Sequence, residues 1–267
     1  MKVGIVATLR HHKEPAGAFK KGLQRHGIYA EIHNNPRNVP ANDLIVVWGL
    51  RNGNLVKNKC QDFLVMERAY FEPRMEWISL GFNGLNGHAD FLNKDMPSDR
   101  WEKYFKNQMM PWDTSGDYIL LTTQVNGDQS IRGLNFSYQD IVRKLKANTN
   151  TPIKVKHHPL NRRPWGNLGV PEINKDMPIK EAIRKAKVVV TVNSNTGVDA
   201  ILMGKPVINI NKGSMVWDVA MQNDFSRIDD PYTPDRSQWA YNTSYCQWLP
   251  IEIQQGAAWA HLKQRYI

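Results

Sequence analysis

Residues 188–210 read VVVTVNSNTGVDAILMGKPVINI, which combines the signals of a strand, a helix and a second strand. The run VVVTVNS (188–194) is apolar and β-branched, as a strand buried on both faces is. TGVDAILMG (196–204) has the apolar spacing of a helix and ends on a glycine, and PVINI (206–210) returns to a strand. Two strands joined through a helix lie parallel in one sheet. The stretch therefore predicts an α/β fold.

The same alternation extends along the rest of the chain and predicts parallel sheets with helices on both faces. Further strands are predicted at 2–8, 28–33, 43–49, 63–68, 77–82, 118–124 and 153–159. Further helices are predicted at 14–26, 52–62, 136–147 and 177–186. The stretch 93–116 contains two prolines and ends in Ser-Gly, which is typical of a connection between domains.

We therefore predict two Rossmann-like domains facing a cleft. The N-terminal domain is placed at 1–114 and binds the acceptor. The C-terminal domain, at 115–267, binds a nucleotide, and its last helices return to the N-terminal domain. One continuous doubly wound sheet is the alternative.

Composition excludes several classes of protein. Of the 267 residues, 41% are hydrophobic and 22% are charged, which fits a globular protein and not collagen, a coiled coil or a disordered chain. No apolar run reaches the roughly 18 residues that span a bilayer, and the first residues predict a strand and not a signal peptide. Two cysteines exclude a disulfide framework and favour a reducing, cytoplasmic location.

The charge is concentrated in the middle of the chain. The net charge is +10, and residues 115–212 hold 15 basic against 7 acidic side chains. A field of this sign attracts polyanions, so nucleotide phosphates and nucleic acid are the predicted partners. A contribution to solubility alone is the alternative.

Polar side chains follow the strand that opens the quoted stretch. Ligands of open α/β sheets bind beyond the carboxyl ends of the strands. Asn193, Ser194, Asn195 and Thr196 fall at this strand–helix junction, and Asp199 lies one turn into the helix. Free N–H groups at the junction predict binding of an anion such as a diphosphate, with Asp199 accepting from a ribose hydroxyl. An ordinary helix cap is the alternative.

The run KVKHHP (154–159) predicts a second phosphate contact at a strand end. Lys156 and His158 are the predicted ligands of the donor, and Arg162 and Arg163 extend the basic run. Adjacent histidines on a strand point to opposite faces, which makes them a poor pair of metal ligands. We therefore predict no metal site.

Gln124 opens a polar, glycine-containing loop, QVNGDQS (124–130), and is predicted to line the same donor site. A plain turn is the alternative for this loop. The P-loop, the dinucleotide fingerprint G-x-G-x-x-G, the zinc motif H-E-x-x-H and the hydrolase motif G-x-S-x-G are all absent from the sequence.

In the first half of the chain, Asp90 and Glu67 are the two candidate general bases for an acceptor hydroxyl. Asp90 closes a loop rich in glycine and side-chain amides, and Glu67 ends the preceding strand. A helix cap is the alternative for Asp90, and an ion pair with Arg68 is the alternative for Glu67. The residues predicted to bind the acceptor or its phosphate are Arg10, His11, Arg68, Asn83, Asn86, His88, Arg162 and Arg163.

Three short segments of the second half resemble a known class of enzyme. The segments KHHP (156–159), NSNTG (193–197) and GKPV (204–207) together resemble the donor half of GT-B glycosyltransferases, nearest to the bacterial sialyl- and Kdo-transferase type. Through ERAY (67–70), the loops NGLNG and QVNGD, and a Trp-rich tail, the chain is also similar to small phage-encoded glycosyltransferases, some of them DNA-modifying.

The resemblance implies a GT-B-like glycosyltransferase that is independent of metal and uses a nucleotide sugar, a UDP-sugar being favoured. It implies a hydroxyl acceptor, and together with the charge it favours a hydroxymethylated pyrimidine in phage DNA, flipped out of the duplex. Double-stranded DNA is then a partner, no membrane is involved, and the location is the host cytoplasm.

Two alternatives remain open at this point. The enzyme acts on a surface glycan or lipid, or the chain is a non-catalytic nucleotide- or DNA-binding protein of the same fold. The sequence predicts a monomer or a dimer.

Overall fold

The computed structural model describes residues 1–162 and 165–267. The chain forms two compact units. Unit 1 consists of Met1–Arg100 and Ala240–Ile267, and unit 2 consists of Trp101–Trp239. No helix among the described residues is long and apolar enough to cross a bilayer.

Unit 1 is built on one mixed sheet. Its strands are β1 (Val3–Val6), β2 (Ala30–His33), β3 (Asn42–Trp48), β4 (Cys60–Arg68), β5 (Ile78–Phe82) and β11 (Gln247–Trp248). The order is β11-β5-β4-β3-β1-β2, and β1 to β4 run parallel. The helices of the unit are α1 (Arg10–Gln24), α2 (Leu50–Val56), α8 (Pro250–Gln254) and α9 (Ala257–Leu262). Two more helices, α3 (Asp99–Tyr104) and α7 (Ser237–Ser244), each contain one of the two unit boundaries.

A hydrophobic core forms on each face of this sheet, because alternate strand residues point to opposite sides. On one face, Ile5 and Leu64 pack with α1, α8 and α9, where Phe19 and Trp259 meet edge to face at 6.1 Å between ring centroids. On the other face, the intervening valines of β3 and β4 pack with Val56 of α2.

β5 runs antiparallel to β4, which differs from the all-parallel sheet that the sequence predicts. Only residues 69–77 connect the two strands, and a parallel return needs a crossover of roughly a dozen residues or more. The chain after β5 therefore leaves at the amino edge of the sheet. β1, β3 and β4 end at the opposite, carboxyl edge. β11, which the sequence assigns to a helical tail, pairs antiparallel with β5.

Unit 2 has a wholly parallel sheet. Its strands are β6 (Tyr118–Thr122), β7 (Ile153–Lys156), β8 (Ala186–Thr191), β9 (Val207–Asn209) and β10 (Met221–Gln222). The order is β10-β9-β8-β6-β7. The helices α4 (Tyr138–Asn148), α5 (Ile179–Arg184) and α6 (Thr196–Leu202) lie between the strands in sequence. The predicted α/β fold with two Rossmann-like domains is confirmed.

The segment before β6 packs on unit 2, so the two units divide at 100/101, whereas the sequence places the boundary at 114/115. The ammonium of Lys205, 2% exposed, contacts the Asp113 carboxylate at 2.5 Å and donates to the carbonyl of Ser115 at 2.9 Å. The bond from Lys205 lowers the pKa of Asp113 to about 2. A Cβ at Gly204 would overlap the carbonyl of Pro111. The GKPV segment therefore packs closely against the segment that precedes β6.

Candidate functional site

Side-chain hydrogen bonds join the carboxyl ends of β6 and β8 in unit 2. Gln124 accepts the Asn193 N–H at 2.8 Å and donates from its amide nitrogen to Ser130 Oγ at 2.9 Å. Asn193 in turn donates to the carbonyl of Ser130 at 3.0 Å. Gln124 and Asn193 are buried. These hydrogen bonds of Gln124 and Asn193, two predicted donor-binding residues, therefore hold the loop at 124–130 against the strand ends.

The turn between β8 and α6 offers hydroxyl groups to a ligand more readily than backbone N–H groups. The N–H of Ser194 donates to Thr191 Oγ1 at 3.3 Å, and the N–H of Thr196 donates to Ser194 Oγ at 3.2 Å. Ser194 Oγ then donates to Thr196 Oγ1 at 3.0 Å. This leaves the Thr196 hydroxyl proton for an outside acceptor. The expectation of free N–H groups here does not hold for residues 193, 194 and 196, since the protein already bonds them.

The two adjacent histidines after β7 have different environments. His157 is engaged at both ring nitrogens, by Thr123 Oγ1 at 2.9 Å and by the Glu172 carboxylate at 3.4 Å. His158 accepts the Leu160 N–H at Nδ1 (3.1 Å), which puts its proton on Nε2. Burial lowers the pKa of His158, so at neutral pH it is an uncharged N–H donor.

Lys156 is buried, and backbone carbonyls bond its ammonium. The residue is 7% exposed, and its ammonium donates to the carbonyls of Asn174 (3.1 Å) and Lys175 (3.4 Å). Burial lowers its pKa. The structure thus gives Lys156 a positioning contact to residues 174–175, which lie beside β7.

Lys156→Met should therefore lower stability without weakening nucleotide binding. The variant removes two hydrogen bonds from a charged, buried donor to backbone carbonyls, and we expect a loss of about 2 kcal/mol in the free energy of unfolding. Urea denaturation measures that loss, and calorimetry with the nucleotide that binds best measures affinity. A tenfold weaker affinity in a folded variant would instead make Lys156 a donor ligand.

The remaining predicted donor-side residues are spread over unit 2. Asp199 is buried (4% exposed) in the first turn of α6, and Asn195 is the half-buried N-cap residue of that helix. Arg162 is exposed in the loop after β7. Arg163 lies outside the described residues.

Lys212 is a cation at this edge that the sequence analysis missed. The pairing of β8 with β9 continues past the strands, because Asn211 donates its N–H to the carbonyl of Val192 at 3.2 Å. Lys212 follows directly and is exposed. A tight turn, in which Asn209 Nδ2 donates to Ser214 Oγ at 2.8 Å, holds the backbone on either side. The signal in the sequence was the polar NKG after the PVINI strand.

At the carboxyl edge of unit 1, Trp48 is the centre of an aromatic and cationic cluster. Its indole stacks on His12 (centroids 5.4 Å apart, 15° between planes) and meets the edge of His11 at 5.9 Å. The Arg68 guanidinium carbon lies 5.3 Å from the indole centroid. Glu67 accepts the Arg68 N–H at 2.9 Å. Because β1, β3 and β4 are neighbours, their carboxyl ends bring these residues together.

His12 lies in the first turn of α1, because that helix begins at Arg10 and not at residue 14, where the sequence predicts its start. The ring is 5% exposed, accepts the Leu9 N–H at Nδ1 (3.3 Å) and lies 3.1 Å from Thr8 Oγ1. Burial, and then the neighbouring His11, lowers its pKa. His12 is therefore neutral at pH 7, with its proton on Nε2.

Asp90 and Asn83 lie at the amino edge of unit 1, and the structure does not bring them together with Glu67. Asn83 donates to the Asp62 carboxylate at 2.6 Å. Arg265 bridges the carboxylates of Asp90 (2.6 Å) and Asp62 (2.9 Å). Burial raises the pKa of Asp62, but the bonds from Arg265 and Asn83 outweigh it and the pKa is lowered. The cause of this placement is the antiparallel direction of β5.

The other predicted acceptor residues are also divided between the amino and carboxyl edges of the unit 1 sheet. Asn86 and His88 form the short helical turn between Asn83 and Asp90. Arg10 opens α1 and shares the carboxyl edge with His11 and Arg68.

Within residues 1–162 and 165–267, no group of three or more His, Cys, Asp or Glu side chains is placed to hold a metal ion. The expected independence of metal stays a prediction.

Comparison with known proteins gives a family match over part of the chain and a fold. Residues 99–220 match the model of the family described as "Capsule polysaccharide biosynthesis protein". The matched range contains all the predicted donor-binding residues, and Lys212 as well. A structure of Thermosulfurimonas dismutans KpsC, titled beta Kdo 2,7 transferase, is 13% identical, covers 97% of this chain and 99% of that chain, and has a TM-score of 0.61. This likeness shows a fold of the GT-B class.

Two curated relatives match parts of the chain. Protein FixF of Sinorhizobium fredii is 24% identical over 187 residues, which is 61% of this chain and 46% of that protein. The capsule polysaccharide export protein KpsS of Escherichia coli is 31% identical over 113 residues, 34% of this chain and 28% of that protein. The chain therefore spans less than half the length of these relatives. The resemblance to phage DNA-modifying enzymes finds no support among these proteins.

Proposed function

We propose that the chain is a glycosyltransferase that moves a sugar from a nucleotide-sugar donor to a hydroxyl of a cell-surface glycan. Unit 2 binds the donor and unit 1 binds the acceptor. The observation that carries the proposal is the carboxyl edge of unit 2, where the His158 N–H, the Thr196 hydroxyl and Lys212 follow β7, β8 and β9, three strands of one parallel sheet. That edge lies inside the range matched by the capsule polysaccharide family.

The three groups suit a nucleotide phosphate. His158 and Thr196 each have a proton to donate, and Lys212 supplies a positive charge. Hydrogen bonds and charge at this position stabilise the nucleotide as it leaves, when negative charge grows on its phosphate.

The glycan acceptor is favoured over DNA by the proteins that match. The description of the family and the name of KpsS concern capsule polysaccharide, and that of KpsC concerns transfer of the sugar Kdo. The hydroxymethylated pyrimidine expected from the sequence has no such support. The positive charge of the second half is accounted for equally well by binding of nucleotide phosphate.

The reaction is a displacement at the sugar. The acceptor oxygen forms a bond to the anomeric carbon, the bond from that carbon to the phosphate oxygen breaks, and its electron pair leaves with the nucleotide. The acceptor proton passes to a carboxylate, and Glu67 is our candidate because it lies at the carboxyl edge of unit 1. The prediction of metal independence is checked by assaying transfer in excess chelator.

Nucleotide binding tests the proposal first. UDP, CMP, ADP and GDP and their sugar derivatives are compared by thermal shift. A ligand present at 100 times its dissociation constant adds about 2.7 kcal/mol to the free energy of unfolding. His158→Ala should weaken binding of the best nucleotide about tenfold to a hundredfold, because it removes one hydrogen bond to a charged group.

His157→Ala is the matched control. It removes a neighbouring imidazole that the protein already bonds at both nitrogens, so stability should fall while nucleotide affinity stays within threefold. If no nucleotide or nucleotide sugar binds the wild-type protein, the proposed function is refuted.

A further inference from the structure

The outer side of α1 carries lysines that no carboxylate neutralises. Lys13 and Lys21 are exposed, and Lys20 is half-buried. In the part of the chain that the structure describes, none of these three lysines forms an ion pair, whereas three lysines of unit 2 each contact a carboxylate. Their positive charges are therefore available to a partner outside the chain.

Exposed apolar side chains lie on both sides of these lysines. Ile32 of β2 lines a depression together with Lys13, and Ile251 of α8 lines a second depression that also includes Lys13. Tyr29, which precedes β2, has its ring centroid 5.7 Å from the ammonium of Lys20. The exposed fractions are 43% for Ile32, 51% for Ile251 and 68% for Tyr29. Because the two depressions meet at Lys13, the apolar and cationic groups share one surface.

The middle of α1 leaves this surface open. A Cβ added at Gly17, one turn after Lys13, would meet no other atom within 4 Å, and Gly17 lines the same depression as Ile251. An extended partner can therefore lie along the helix. We call the surface the α1 face and define it by Lys13, Lys20, Lys21, Tyr29, Ile32 and Ile251.

Positive charge exceeds negative charge on the α1 face. Arg25, directly after α1, adds a fourth cation beside the three lysines and donates through Nε to a backbone carbonyl of α8 at 3.2 Å. The acidic residues of α1, β2 and α8 are Glu14, Glu31 and Glu252. Glu252 is held by Arg100 at 2.8 Å, so two exposed carboxylates oppose four cations. A surface with this balance attracts an anionic partner.

The apolar side chains favour a lipid surface over other anions. A lone exposed apolar side chain is ordinary, but Tyr29, Ile32 and Ile251 surround unpaired lysines. Such a mixture suits the boundary of a bilayer, where ammonium groups contact lipid phosphates and apolar side chains enter the acyl region. Tyrosine is enriched at this boundary. A purely polar anion would leave both isoleucines without a contact that buries them.

We propose that the α1 face binds the surface of a membrane that contains anionic phospholipid. The helix lies in the plane of the bilayer surface, and the chain is held peripherally, an arrangement that needs no spanning helix. The sequence predicts no membrane partner, because it does not show which lysines stay unpaired or which apolar side chains stay exposed. The α1 face contains no residue of the donor site, so the inference goes beyond the proposed function and does not depend on it.

Flotation of the full chain with vesicles tests the inference. Binding to vesicles of equal parts phosphatidylglycerol and phosphatidylcholine should be about tenfold tighter or more than binding to phosphatidylcholine alone, and added salt should weaken it. Lys20→Gln/Lys21→Gln should weaken binding to the anionic vesicles about tenfold or more, since each basic side chain near such a surface contributes about fivefold. Ile32→Ser/Ile251→Ser should also weaken it about tenfold, because apolar burial is lost. Thermal unfolding checks that both variants are folded.

The matched controls lie on the other face of the same sheet, where α2 packs. Arg51→Gln/Lys57→Gln removes equal charge there, and Leu55→Ser removes an apolar side chain that is 46% exposed. A planar bilayer cannot contact both faces of the sheet at once, so these controls should bind as the wild type does. Equal binding to neutral and anionic vesicles, or equal losses in the two charge variants, would overturn the inference.

Two other occupants of the α1 face are outcomes of the same test. A dimer in light scattering that is lost in Ile32→Ser/Ile251→Ser, together with no binding to vesicles, would make the face an interface between copies and refute the inference. Binding to duplex DNA but not to vesicles would refute it as well. A nucleotide titration keeps the proposals separate: nucleotide binding without vesicle binding refutes this inference alone, and vesicle binding without nucleotide binding refutes the proposed function alone.

Discussion

Arg100→Met should lower the free energy of unfolding by about 3–5 kcal/mol, since it removes one partner of a buried ion pair. The Arg100 guanidinium contacts both oxygens of Glu252, at 2.8 and 3.0 Å, and donates to the carbonyls of Ser244 (3.2 Å) and Gln247 (2.9 Å). It also lies 4.1 Å from the ring centroid of Trp248. The arginine is 7% exposed, so the Glu252 left behind gains little water.

The consequence of this change is local to unit 1, because Arg100 joins the end of its first segment to the returning segment at 240–267. Urea denaturation followed by tryptophan fluorescence measures the loss. Arg143→Met is the control: its ion pair with Asp140 is just as short (2.8 Å), but the arginine side chain is 76% exposed. An exposed pair contributes about 0–1 kcal/mol. Comparable losses in the two variants would show that burial does not set the contribution of Arg100.

Much of the fold follows from short-range pattern in the sequence. The strand predicted at 188–194 is β8 at Ala186–Thr191, and the helix predicted at 196–204 is α6 at Thr196–Leu202. Such elements are recoverable because each strand of a parallel sheet is a continuous apolar run bounded by glycine or polar residues. The sequence predicts that the C-terminal segment returns to the N-terminal domain as helices. The strand β11 in that segment was not recoverable, since the two residues Gln247 and Trp248 carry no strand pattern.

The acceptor residues show where the sequence was insufficient. Asp90 follows a strand, and the rule that ligands lie at carboxyl ends places it at the site only if that strand is parallel to its neighbours. β5 is antiparallel, so the rule selects the wrong edge for the whole loop at 83–90. The short connection at 69–77 was the available signal, because it has no room for a crossover helix.

The predicted donor-binding residues show a second limit of prediction from the sequence. The sequence placed Lys156 and His158 at one strand end, and both are there. Alternation along β7 puts Lys156 on the face opposite to the core residue Val155, where its ammonium is bonded to the carbonyl of Asn174. Residue type and spacing locate the edge of the sheet on which a group lies. They do not distinguish a ligand contact from a hydrogen bond that holds a loop, as the bonds of Gln124 and Asn193 do.

Glu67→Gln should lower kcat by about 10²- to 10⁴-fold, because positioned general bases contribute factors of that size. The amide keeps the shape of the side chain and can still accept the Arg68 N–H, which now bonds to Oε1 at 2.9 Å, so stability should change little. Nucleotide affinity, which the proposed function assigns to unit 2, should be unchanged. The measurement is steady-state transfer to the acceptor, with nucleotide binding determined on the same preparation.

Asp90→Asn distinguishes Glu67 from Asp90, the other candidate for the general base. Asp90 pairs with Arg265 at the amino edge, and its side chain is 50% exposed, so its loss should cost at most about 1 kcal/mol of stability and leave kcat within threefold. Glu67 and Asp90 lie on strand ends that point in opposite directions, so only one of them can face an acceptor bound at the carboxyl edge. A wild-type kcat in Glu67→Gln together with a large loss in Asp90→Asn would transfer the role of base to the loop at 83–90. It would also place the acceptor at the amino edge of unit 1, since the carboxyl and amino edges lie at opposite ends of the same strands.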